Sequence, residues 1–181
     1  AMRKLALSDE MLLSVDKAAR YIGGEVNSVM KDKNNVDIRF AMCFPDVYEI
    51  GMSNLGMMIL YNMFNEREDV WAERVFSPWL DLDKIMREKN IPLFALESQE
   101  PVKDFDFLGI TLGYEMCYTN VLQVLDLSHI SLLAKDREED DPIVIGGGAC
   151  AYNPEPIAEF FDMFYIGEGE TVYDALFDAY K

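Results

Sequence analysis

Histidine occurs once in this sequence, at His129, and cysteine three times, at positions 43, 117 and 150. Cysteines that few and that scattered do not make a disulfide framework, so the expected setting is a reducing cytoplasm. The lone histidine has no metal-binding companion nearby; just after a predicted helix its expected role is structural. Basic residues are scarce: 16 Lys and Arg against 33 Asp and Glu give a formal net charge of −17. Such a chain repels phosphate backbones, which argues against nucleic acid and anionic membranes as partners. No apolar run approaches the roughly 18 residues of a membrane helix. The first ten residues carry no apolar leader core, so export is not expected. Repeats and low-complexity stretches are missing too. What remains is ordinary globular composition: 181 residues, 50% hydrophobic and 27% charged, enough for one sizeable core.

The patterning predicts a helix over Ser8–Tyr21, with Ser8 as N-cap and Met11, Leu12, Val15 and Ala19 at helical spacing. Gly23 and Gly24 break it, and residues 1–35 form a helical segment and linker before the main domain, 36–181. From Val36 onward strand and helix patterns alternate. Strands are expected at Val36–Phe44, Val70–Phe76, Ile91–Leu96, Phe105–Leu112, Ile143–Ile145 and Met163–Ile166. Helices are expected from Leu55, where Leu55, Met58, Ile59, Asn62 and Met63 share one face, and at Leu80–Lys89, Tyr118–Ser128 and Thr171–Tyr180. In the last, Val172, Leu176, Phe177 and Tyr180 should face inward. Asn153 followed by Pro154 reads as an N-cap with proline at the first helical position, opening a short helix to Phe160. Such alternation implies an α/β, Rossmann-like (flavodoxin-like), mostly parallel sheet with helices on both faces.

Sheets of this kind bind ligands outside the carboxyl ends of their strands, at the switch in strand order. That rule selects three loops. The first, Pro45 to Gly56, is long for a strand-to-helix turn and holds Asp46, Tyr48, Glu49, Gly51 and Asn54. It either wraps a bound group or is a structural loop with its polar side chains capping the helix. The second, Gly113 to Tyr118, offers Tyr114 and Glu115. Tyrosine has a flat apolar face and a polar tip, suited to a planar ligand or to packing on the rim. The third carries Gly146, Gly147 and Gly148. Three consecutive glycines exceed what a tight turn needs and let backbone lie against a ligand. No Gly-Lys-Ser/Thr follows, so this is not a P-loop, and the dinucleotide fingerprint spacing is missing.

Several strings carry a family resemblance. They are Tyr21-Ile22-Gly23-Gly24-Glu25, Phe44 through Gly56, Phe94-Ala95-Leu96-Glu97-Ser98, Gly146-Gly147-Gly148 with Asn153-Pro154-Glu155-Pro156, and Ile166-Gly167-Glu168-Gly169-Glu170. Over nearly its whole length the chain resembles the N-terminal, cobalamin-binding-type domain of radical S-adenosylmethionine (SAM) proteins described as Fe–S oxidoreductases. The resemblance implies a Rossmann-like domain over a radical SAM barrel, positioning a corrinoid or covering the barrel's active site.

Two departures qualify it. Cobalamin domains of the mutase type carry Asp-x-His-x-x-Gly, whose histidine ligates cobalt; here Asp46-Val47-Tyr48-Glu49-Ile50-Gly51 puts Tyr48 in that place. A phenol with a pKa of about 10 must lose a proton before it can ligate, so any cobalamin is expected without a protein imidazole on cobalt. Cobalamin-type radical SAM proteins often share this lack. Thr111-Leu112-Gly113 likewise stands where Ser-x-Leu is usual. The second departure is that no Cys-x-x-x-Cys-x-x-Cys motif exists here. The [4Fe-4S] cluster and SAM are therefore expected only in a downstream barrel beyond Lys181. Ala1 ahead of Met2 adds to the expectation of a piece of a longer protein.

The residues expected to meet a corrinoid are Pro45, Asp46, Tyr48, Glu49, Gly51, Asn54 and Gly56, completed by Thr111, Tyr114, Glu115, Gly146, Gly147 and Gly148. No catalytic residue and no metal ligand is assigned in this chain, and the cysteines are read as packing. Expected partners are the downstream barrel and, through the apolar helix after Gly56, a second copy. The alternative is a corrinoid-free interaction domain of the same fold; behind it stands a flavin or nucleotide binder.

Overall fold

Residues 4–181 are described by a computed structural model. The alternating pattern folds into one sheet of five strands: β1 (Ile38–Phe44), β2 (Val70–Phe76), β3 (Phe107–Thr111), β4 (Ile143–Gly147) and β5 (Met163–Phe164). Their order is β2-β1-β3-β4-β5 and every neighbouring pair is parallel. This is the flavodoxin-like order, with its switch point between β1 and β3. All seven residues of β1 are buried, as a strand covered on both faces requires.

Among the described residues six α-helices accompany the sheet: α1 (Asp9–Ser14), α2 (Tyr48–Gly51), α3 (Leu55–Glu66), α4 (Leu80–Lys89), α5 (Tyr118–Leu127) and α6 (Tyr173–Tyr180). On one face α3 and α6 pack Met57, Tyr61, Phe64 and Phe177 against Phe40, Phe107 and Ile145. On the other, Leu82 and Met86 of α4 and Val121, Val124 and Leu125 of α5 meet Ala41, Leu108 and Val144. Leu7, Val15 and Tyr21 join that second core from the N-terminal segment. No described helix is long and apolar enough to cross a membrane.

Several expectations are corrected. Ser8 does cap α1, accepting from the Met11 N–H, but the helix stops at Ser14 instead of running to Tyr21. Val15 is extended, and a 3-10 turn at Ala18–Arg20 follows. Tertiary contacts win here: the Tyr21 hydroxyl accepts from the Trp79 N–H, and its carbonyl from the Gln99 side chain. Ile91–Leu96 is not a strand of the sheet. Its backbone groups are satisfied elsewhere, Leu93 N–H on the Leu127 carbonyl and Leu96 N–H on the Arg74 carbonyl, with one antiparallel bridge from Phe94 to Pro101. On α3 the buried side is Met57, Tyr61 and Phe64, while Leu55, Met58 and Ile59 are exposed. The helix is apolar all round, so periodicity could not choose its inner face; the ring cluster of Phe40, Phe64 and Phe177 does. Asn153 makes no side-chain cap, and a 3-10 turn, Glu155–Phe160, takes the place of the short helix. In α6 Phe177 is fully buried, but Tyr180 lies at the surface, donating to Asp106 Oδ1.

Arg67 ties three elements together at the foot of α3. It bonds Asp69 with two parallel N–H groups at 3.0 and 2.9 Å and reaches Asp174 and Asp178 of α6. Lys181 also contacts Asp69. The Arg67 guanidinium holds the Asp69 carboxyl well below the usual carboxylate range. A depressed folded-state pKa contributes stability above the unfolded value, about 3.9, and loses it as pH falls through the folded one. Arg67→Gln is therefore expected to lower the thermal midpoint by about 2–4 °C at neutral pH. The gap from the parent should narrow below about pH 4, as scanning calorimetry across pH 7 to 2 would show.

Candidate functional site

An open cleft lies on the α3/α6 face, at the carboxyl ends of β1, β3 and β4, beside the switch point. Its volume is about 230 Å³. The floor is the sheet: Met42 pairs with Gly109, Gly109 with Ile145, and Thr111 with Gly147. The walls are Met57, Leu60 and Phe64 of α3 and Tyr173 of α6. The lip is the segment from Tyr165 to Glu170.

Glycine shapes this floor for separate reasons. A side chain on Gly109 would strike the Phe40 ring at 2.4 Å, so this glycine lets that ring lie across the strand. At the end of β4 the three consecutive glycines divide the work. A Cβ on Gly146 would meet Phe164 at 2.7 Å, which makes it a packing residue. Gly148 has φ +99° and would meet the Leu112 carbonyl oxygen at 2.9 Å, so it serves the turn. A Cβ on Gly147 would meet nothing within 4 Å. Its missing side chain is the open space of the cleft.

Of the residues singled out by sequence, Asn54, Gly56, Thr111, Gly147 and Gly148 line this cleft. Asn54 also caps α3, its Oδ1 accepting from the Met57 N–H at 2.9 Å. The others lie at the same strand ends, and most have protein partners of their own. Asp46 accepts from the Tyr114 hydroxyl at 2.7 Å and from the Val47 N–H at 2.8 Å. The Pro45 carbonyl accepts from the Asn120 side chain. Tyr48 turns away from the cleft toward the N-terminal segment, donating to Glu25 Oε1 at 3.1 Å and packing edge-on against Phe76. Glu49 pairs with Arg20 and Lys17. Gly51 admits the Phe76 ring, which would lie 2.2 Å from a Cβ. Glu115 sits exposed in a 3-10 turn.

Burial, then Glu25, raises the Tyr48 pKa, while its hydrogen bond to Asp46 does the same for Tyr114. Burial pushes the Tyr173 phenol to about 12. These phenols are neutral donors at ordinary pH, and Tyr48 is a poorer metal ligand than a free tyrosine. Cys43 and Cys117 are buried, and burial keeps both as thiols. His129 sits in a left-handed turn after α5, its N–H bonded to the Asp126 carbonyl. Among the described residues, no group of three or more His, Cys, Asp or Glu is arranged to hold a metal ion.

Sequence reasoning missed the inner half of the cleft: Phe40, Met42, Gly109 and the α3 wall. Gly109 carried the available signal, since a glycine inside an apolar strand marks close approach of another group. The string Ile166-Gly167-Glu168-Gly169-Glu170 was visible, and the structure makes it the lip. Both hydroxyls of Tyr165 and Thr171 donate to the Glu168 carbonyl at 3.0 Å, which fixes the segment over the opening.

Residues 56–181, more than half of the chain, match the family described as radical SAM proteins, N-terminal. An uncharacterized protein of Methanocaldococcus jannaschii is 30% identical over 133 residues, 72% of this chain and 24% of that relative. The chain thus spans about a quarter of the relative's length. No solved structure matches.

Proposed function

The chain belongs to the family of radical SAM protein N-terminal domains, and from that premise we propose that it holds a corrinoid against the carboxyl ends of its strands, in front of a downstream radical SAM barrel. The observation that carries this reading is the open floor at Gly147, in a cleft of about 230 Å³ beside the switch point. A space of that size would admit a peripheral arm of a corrinoid. Thr111, Gly147 and Gly148 would hold the arm from the sheet side, Asn54 and Gly56 from α3. When bound, a corrinoid supplies a cobalt centre able to carry an alkyl group; this chain's own residues bind, orient and exclude water. The [4Fe-4S] cluster and SAM belong to the downstream barrel in this proposal. The exposed face of α3, Leu55, Met58 and Ile59, is the surface offered to that barrel or to a second copy.

The donor set of the first loop does not fit an axial ligand. Tyr48 is engaged by Glu25 and Phe76, and its pKa is raised. Cobalt would be held without a protein ligand. The full chain is expected to retain hydroxocobalamin through desalting, with a visible spectrum that Tyr48→Phe leaves unchanged. Absence of retained corrinoid would favour the second reading, a corrinoid-free interaction domain. That reading has its own support: Asp46, Tyr48 and Glu49 are all satisfied by protein partners.

A further inference from the structure

β2 is an outer strand of the sheet, and an outer strand offers N–H and C=O groups on which a second chain can build. The Ile38 N–H donates to the Asp69 carbonyl, so in this parallel ladder the odd-numbered residues of β2 bond β1 and Val70, Ala72 and Arg74 face outward. Their outward groups are taken. Lys31 Nζ donates to the Val70 carbonyl at 2.6 Å. The Asn65 side chain accepts from the Ala72 N–H at 3.0 Å and donates to the Ala72 carbonyl at 3.0 Å. Glu97 Oε2 accepts from the Arg74 N–H at 2.7 Å, and the Leu96 N–H donates to the Arg74 carbonyl at 2.8 Å. The Asn65 carboxamide presents a donor and an acceptor side by side, as a neighbouring strand would. These partners come from three separate places: the N-terminal segment, α3 and the stretch after α4.

The strand also carries two buried charges, Glu73 and Arg74, 0% and 3% exposed, paired with Arg39 and Glu97. A strand that displaced Glu97 would part Arg74 from that carboxylate, and separating a buried pair is costly. The far edge, β5, is two residues long, too short to template a partner. We infer that Asn65, with Lys31 and Glu97 on either side, closes the β2 edge to a second copy of this chain. This closure is independent of what the cleft binds, and it confines contacts between copies to the helices and the strand-end rim. Loss of the Asn65 carboxamide frees both Ala72 groups, and two copies related by a two-fold axis can then exchange those bonds as an antiparallel pair.

Sedimentation velocity on the full chain reads the change, at raised salt so that repulsion between chains of net charge −17 is screened. Asn65→Ala is expected to self-associate at least about tenfold more tightly than the parent, and adding Lys31→Ala should tighten it again. Hydrogen exchange gives the location. In Asn65→Ala the Ala72 amide should exchange quickly in dilute solution and regain protection as concentration rises. Gly148→Ala, strained at the end of β4, should lower stability without raising association, which separates edge pairing from association of unfolded chains. Asn65→Ala that folds and sediments like the parent would overturn the inference. So would equally tight association of Gly148→Ala, or association that leaves the Ala72 amide unprotected. Should Asn65→Ala not fold, Asn65→Ser, whose single hydroxyl cannot span both Ala72 groups, carries the same readings.

Discussion

Arg74→Met is expected to destabilise the domain by about 3–5 kcal/mol, because it removes the guanidinium that balances a buried carboxylate. Arg74 lies on β2 and is 3% exposed; Glu97 is 0% exposed. The Arg74 side chain donates to Glu97 Oε1 at 2.6 Å, and its backbone N–H donates to Oε2 at 2.7 Å. The Tyr61 hydroxyl donates to the same carboxylate and accepts from the Val29 N–H, while Arg74 also reaches Asn27 and Ser28. One ion pair thus joins β2, α3 and the N-terminal segment. Burial pushes Glu97 up and Arg74 opposes it; without the guanidinium that opposition is lost, while the Tyr61 hydroxyl and the backbone N–H of residue 74 stay on the carboxylate. Urea unfolding measures the loss. Arg74→Met combined with Glu97→Leu should recover much of it, since a buried pair replaced by apolar groups is often neutral. A loss below about 1 kcal/mol for the single variant would place the pair in an effectively solvated site.

Gly147→Leu is expected to do the opposite: leave stability nearly unchanged and empty the cleft of its guest. Nothing lies within 4 Å of a Cβ at this position, so the added side chain starts into the cleft without a clash at its first atom. A guest must then be compressed or shifted, at about 1–3 kcal/mol, equivalent to about a ten- to hundredfold loss of hydroxocobalamin affinity. The flanking glycines supply the contrast. Gly148→Ala would place a side chain at φ +99° against the Leu112 carbonyl, a strain of about 1–3 kcal/mol, and Gly146→Ala would press on Phe164. Both should show in unfolding curves, and Gly147→Leu should not. Equilibrium dialysis with hydroxocobalamin separates the variants.

The layout of the fold was legible in the sequence wherever a single period repeated long enough. Val70–Phe76 and Leu80–Lys89 match β2 and α4 residue for residue. What defeated pattern reading was tertiary bonding. Ile91–Leu96 is apolar and β-like, yet Glu97 and the Arg74 carbonyl draw it into the buried network instead of the sheet. The rim was found through the strand-end rule, but a rim has two flanks. Tyr48 and Glu49 turned to Glu25, Lys17 and Arg20, partners that sequence spacing does not reveal. The triple glycine read as one ligand-facing unit is three residues with three neighbours. Only coordinates show that Phe164 and Leu112 claim two of them.

Amide hydrogen exchange of the full chain with and without hydroxocobalamin tests the location of the ligand site most directly. Protection is predicted at the start of α3, at the ends of β3 and β4, and across the lip from Tyr165 to Tyr173. Protection confined to residues 45–49 and 114–115, or none at all at saturating corrinoid, would contradict the account.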